Sequence, residues 1–183
     1  TSAVNIDRQV NVLKALTGSA QAAEERFAAL VNLSAKTPGL TTSLAATLDA
    51  QLRVANVSTG TIDKLLPAIG RLNAVAPLGD PQKFGQNLVQ LITQGFERAD
   101  LKELVGQSPL AGELIKSIFK VDSPINGKAI KEAAVKLGIT TTDAFFAAFA
   151  DAENGRAMPA EGVLVGMLLH GSRCGDPCGA AQS

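Results

Sequence analysis

Tryptophan and tyrosine are both absent from this chain of 183 residues, and aromatic residues make up only 4% of it. Those two side chains dominate many recognition hot spots and stack on bases and sugar rings, so their absence argues against a carbohydrate- or base-stacking site. Net charge is missing too. The 17 basic residues balance 17 acidic ones, which leaves no broad positive footprint for general nucleic-acid binding. The longest apolar run, Val163 to Leu169 with Gly166 inside it, falls far short of the roughly 20 residues of a membrane span. Histidine occurs once, as His170, and no His-x-x-x-His pair, phosphate-binding loop, nucleophile elbow or dinucleotide fingerprint is present. Catalytic roles therefore find no candidate residues, and no cofactor is implied.

What remains is a chain 46% hydrophobic and 19% charged, the composition of a soluble globular domain. A chain of this length buries about 70% of its unfolded surface, enough to fold without disulfide staples. The two cysteines, Cys174 and Cys178, bracket Gly-Asp-Pro in a turn-rich stretch. That spacing predicts a local disulfide and favours an extracytoplasmic address. With His170 they supply only three possible metal ligands, so no metal site is expected. The chain opens Thr-Ser-Ala without a charged-then-apolar leader, so the expectation is a signal peptide already removed or never present.

Apolar residues recur at helical spacing almost throughout, with alanine the dominant small residue. Val10, Leu13 and Leu16 predict a helix from about Asn5 to Thr17. Ser19 caps a second, with Ala23, Phe27, Leu30 and Val31 on one stripe. Leu44, Leu48 and Leu52 carry a third. Ser58-Thr59-Gly60 separates it from the Ile62–Leu72 segment, which Pro67 should kink or split. Asp80-Pro81, Ser108-Pro109 and Ser123-Pro124 each read as an N-cap followed by proline at the first helical position. A short helix spans Ala99 to Val105, Thr142-Asp143 opens the helix of Phe145, Phe146 and Phe149, and Pro159 opens the last. No stretch carries a convincing strand pattern. The fold class is all-α: a single-domain irregular bundle of about nine to ten short helices over residues 1–170, then a Gly-rich tail over 171–183.

Four of the eight prolines are followed three residues later by glycine: Pro67/Gly70, Pro109/Gly112, Pro124/Gly127 and Pro159/Gly162. Glycine costs about 1 kcal/mol in a helix interior relative to alanine, so four such placements imply a packing reason. The expectation is tight crossing of short helices, with anion or ligand capture at helix N-termini as the alternative.

The segment Ile130–Ala147 has helix-turn-helix spacing, through Ala134, Gly138, Ile139, Ala144 and Ala147, and in this it resembles the DNA-binding motif. The would-be recognition helix, however, carries Asp143, Asp151 and Glu153 and no cation before Arg156, which suits a phosphate-lined groove badly. Two segments faintly resemble calcium loops but supply too few oxygens. Charge is segregated: five lysines from Lys116 to Lys136 face Asp122 and Glu132, net +3, whereas Ile139 to Glu161 holds four acids against Arg156, net −3. Two neighbouring helices attracting each other, or a dipolar patch that orients a partner or an identical subunit, would account for it.

The functional expectation is a non-enzymatic binding module for an apolar small molecule or the apolar face of a partner protein. Three phenylalanines in five residues span more than one helix face. Phe145, Phe146 and Phe149 should therefore pack as core or, on the binding reading, line a groove, with Gly127 and Gly162 leaving room beside them and Asn126 or Lys131 as polar anchors. The alternatives are a fragment of a helix-turn-helix regulator and an enzyme whose site is not recognisable.

Overall fold

The computed structural model describes the backbone of residues 2–157 and the side chains of residues 6–156. Cys174, Cys178, His170, Gly162 and the helix expected after Pro159 lie outside the described residues. Within them the chain is all-helical: α1 (Ser2–Thr17), α2 (Ala20–Lys36), α3 (Thr42–Val54), α4 (Thr59–Val75), α5 (Pro81–Thr93), α6 (Arg98–Gln107), α7 (Pro109–Phe119), α8 (Gly127–Leu137) and α9 (Thr142–Ala157). No single helix among these is long and apolar enough to cross a membrane.

The helix starts follow capping chemistry. Side-chain oxygens of Ser19, Thr41, Ser58, Asp80, Ser108 and Asn126 each accept a hydrogen bond from the backbone N–H three residues on, satisfying a donor with no partner inside the helix. Two expectations need correction here. Ser58 is the cap of α4 and not a spacer before it. Ser123-Pro124 does not start a helix: Asn126 N–H donates to Ser123 O at 3.3 Å, closing a turn with proline in its second position, and Asn126 caps α8 instead. Proline's fixed φ serves a turn as well as a first helical residue, so the dipeptide alone does not separate them. Pro67 neither splits α4 nor ends it. The buried Leu65, Leu66, Ala68 and Ile69 on both sides hold the helix together, and their burial offsets the roughly 3 kcal/mol that an interior proline costs.

α9 is the central element, packing chiefly on α4 and also on α7 and α5. Two ionic clusters fix its surroundings. Arg26 on α2 is nearly buried and donates to the fully buried Asp49 on α3 at 2.6 and 2.9 Å and to Asp63 on α4 at 2.7 Å, while Arg53 donates to the other oxygen of Asp49 at 2.8 Å. On α9, the fully buried Glu153 receives a two-pronged contact from Arg156 at 2.6 and 2.7 Å. Arg71 of α4 lies 3.9 Å from Glu153 and donates to the side chain of Asn154. Carboxylates at full burial need such partners, because an unpaired one would cost several kcal/mol.

Three Pro-x-x-Gly glycines are sites of close approach. A methyl group at Gly70 would meet the Thr37 side chain at 2.7 Å and Leu40 at 2.9 Å, and one at Gly127 would sit 2.2 Å from the Phe96 carbonyl oxygen. At Gly112 the nearest neighbour is Val105, at 3.0 Å. The motif brings short helices and turns into backbone contact, in line with the packing expectation.

Candidate functional site

The phenylalanine helix is core, and among the described residues no groove opens beside it. Phe145, Phe146 and Phe149 are all fully buried. Phe145 is the hub: its ring stacks on Phe119 at 6.2 Å, meets Phe96 edge-on at 5.6 Å, and touches Phe146 and Phe149. The physical reason is that α9 has helices on several sides, so rings pointing in different directions all find apolar neighbours. None of the three lines any of the larger surface hollows among the described residues. Gly127 is spent on its contact with Phe96, and Gly162 lies outside the described residues.

An apolar groove does exist, at the opposite part of the sequence. α3 forms its floor, and α1 and α5 pack on either side of α3. Each helix turns toward the groove a row of residues that the described residues leave at least partly exposed. On α1 the buried Leu13 is flanked by Val12 and Leu16, which remain 43% and 37% exposed. On α3, Ala50 and Val54 stand on the side away from the buried Leu48 and Leu52, and Val54 is 72% exposed. On α5 the half-buried Val89 lies between Gln86, Gln90 and Thr93. Residues four apart share a helix face, so these rows run alongside one another. With Ala15 and Gln51 they border an open, shallow hollow of about 630 Å³, and none of the ten lining residues is charged. The glutamines and the threonine supply the polar rim. Gly85 lets the floor and one wall meet: a methyl group there would sit 2.3 Å from the Leu48 side chain.

The sequence signal for this groove is apolar residues off the buried stripes: Val12 about 100° from Leu13 on α1, and Val54 on the far side of α3 from Leu52.

The region around Gly127 is different in kind. A hollow of about 640 Å³ at the start of α8 is lined by Phe96, Asn126 and a mixed set of charges from Glu97, Arg98, Lys128, Lys131 and Glu132. Lys131 pairs with Glu97 at 3.0 Å, so the two sequence-expected anchors, Asn126 and Lys131, cap a helix and close an ion pair. The segregated charges do not pair with each other either. Among the described residues, the basic stretch reaches Glu97 and Glu113, and the acidic one reaches Arg71 and Arg156. The helix-turn-helix spacing does produce a corner. α8 and α9 meet at 97°, with Gly138 in the left-handed conformation at φ 71° and Ala134 buried beneath it. The second helix of that corner is the buried α9. Its exposed residues are Asp151 and Gly155, which offer a phosphate backbone nothing to bind. Among the described residues no group of three or more metal-ligating side chains converges.

Comparison with protein-family models finds no match, and comparisons with curated proteins and with solved structures find none either.

Proposed function

We propose that the protein is a non-enzymatic helical binding module whose α1–α3–α5 groove takes up an uncharged, apolar guest. One observation carries the reading: a groove of about 630 Å³ lined by ten residues without a single charge, on a protein in which 19% of residues are charged. Sites for small molecules span roughly 300–1,000 Å³ and are mostly apolar with a few polar groups. Gln51, Gln86, Gln90 and Thr93 provide those groups here. Val54 is the natural anchor, since most of its side chain has nothing against it and gains burial only when a guest arrives.

The test is titration with Nile red, a neutral apolar fluorophore. Saturable uptake at one site per chain is expected, abolished by Val54→Asp, which sets a charge in the apolar floor. Wild-type protein that shows no saturable uptake, or uptake unaffected by Val54→Asp, would refute the reading.

A further inference from the structure

We propose that the natural guest of the α1–α3–α5 groove is a single-chain amphiphile with a carboxylate head, its body in the groove and its head at Arg8. The inference rests on the preceding reading of the groove, which it keeps for the body of the guest, and adds the chemistry of the head. Three observations support it.

The first is continuity. A second hollow, of about 410 Å³, adjoins the groove and shares Val12, Ala50 and Gln51 with it. Residue numbers rise together on all three helices, from Arg8, Ser43 and Gln82 in this hollow to Leu16, Val54 and Thr93 in the groove. The helices therefore run the same way and border one trench. From Ser43 to Val54, α3 rises about 17 Å at 1.5 Å per residue, roughly the extended length of a twelve-carbon chain with its head.

The second is polarity. The groove end of the trench carries Leu16, Val54 and Val89, whereas the other end carries the hydroxyls and amides of Ser43, Thr47 and Gln82. There Gln9 Nε2 donates to Ser43 Oγ at 2.9 Å, which ties α1 to α3 and leaves Ser43 its own O–H to give. A wholly apolar guest filling the trench would strip water from these groups without replacing its hydrogen bonds. An amphiphile satisfies both ends.

The third is charge. Arg8 is the only ionisable residue among those lining the two hollows. It is exposed, and among the described residues it closes no ion pair. α3 and α5 both begin at this end, so the positive ends of two helix dipoles add to the guanidinium. Asp80, the acid nearest in sequence to Gln82, is outside the lining, and its carboxylate is engaged by the Lys83 N–H. The planar fork of arginine matches a carboxylate, and one cation balances its single charge. A phosphate monoester, at about −1.5 to −2 near pH 7, would exceed it.

The experiment measures displacement of Nile red from the full chain by laurate, dodecyltrimethylammonium and dodecyl phosphate, which share a twelve-carbon body. Each is kept below the concentration at which it forms micelles. Laurate should displace the dye from wild type at a concentration about fivefold below that of the ammonium, the scale of an exposed ion pair aided by helix ends. Arg8→Gln should remove most of that preference, and Arg8→Lys should keep most of it. Far-UV circular dichroism establishes that both variants are folded. Equal concentrations of laurate and ammonium in wild type, or a preference that Arg8→Gln leaves unchanged, overturn the head assignment and leave the groove reading standing. Dodecyl phosphate acting at a lower concentration than laurate overturns the carboxylate assignment. Absence of saturable dye uptake in wild type defeats the groove reading itself, and the amphiphile with it.

Discussion

Replacing Gly127 by alanine separates a glycine kept for packing from a glycine kept for nothing. Gly127 is the first residue of α8, and a methyl group there would lie 2.2 Å from the Phe96 carbonyl oxygen, a backbone atom. Phe96 cannot easily retreat. It is 4% exposed, it sits in the left-handed conformation at φ 59°, its N–H donates to Leu91 O at 2.8 Å in the cap of α5, and its ring lies edge-on to Phe119 and Phe145. Normal contact requires the α5–α6 turn and the start of α8 to part by about 1 Å. Overpacking of that kind costs about 1–3 kcal/mol. The gain in helix propensity is at most about 1 kcal/mol, and less at a first-turn position. The net expectation is a loss of about 1–2 kcal/mol. Gly106→Ala and Gly155→Ala are the controls. Both are helical, neither has a positive φ, and nothing lies within 4 Å of the added methyl group, so each should gain about 0.4–1 kcal/mol. Urea unfolding followed by far-UV circular dichroism measures all three. If Gly127→Ala proves as stable as the two controls, the close-approach account of the Pro-x-x-Gly pairs is wrong.

Asp49→Ala strips the buried Arg26 of two hydrogen bonds and Arg53 of one and should destabilise by about 3–5 kcal/mol, whereas the double variant Arg26→Met/Asp49→Leu should recover most of that loss in the same urea assay. Phe145→Ala, which empties the centre of the aromatic cluster, should cost about 3–5 kcal/mol with little change in dye uptake, because the ring lines no groove. The Ser58 N–H donates to Asp143 at 2.7 Å and holds its carboxyl below the usual carboxylate range. Stability from this contact is present above the unfolded carboxylate pKa and is lost as the pH falls through the lower folded value. Asp143→Asn should therefore flatten the acid limb of the stability–pH curve below about pH 4, and an unchanged limb would sink the assignment. Val54→Asp should leave the unfolding free energy from urea titration within about 0.5 kcal/mol of wild type, as befits an exposed position.

The helical class was legible in this sequence because it is written locally. Caps such as Ser19, Asp80 and Ser108, and stripes such as Ile62–Leu65–Leu66–Ile69, need no tertiary knowledge to read. The site was not legible, for a reason visible in two pairs of residues. Arg26 stands on the same stripe as Ala23 and Leu30, and Asp49 stands between Leu48 and Leu52, yet both are buried. A charge on an apolar stripe is either a solvated interruption or half of a buried pair, and only the partner on another helix decides which. Val54 poses the converse problem. An apolar residue beside an apolar stripe is either the edge of the core or the floor of a groove, and that depends on whether another helix covers it. Periodicity fixes which residues share a face of one helix and carries no information about what the face meets. Three phenylalanines in five residues therefore fit the core or the wall of a groove equally well by periodicity, and they are the middle of the core. The uncovered surface lies where α1 and α3 carry apolar residues beyond those their contacts use and α5 adds Val89 with a polar rim. An unused row on a single helix is ordinary surface. Three helix faces side by side, with no charge among them, form a surface suited to an apolar occupant, and the dye titration with Val54→Asp tests that.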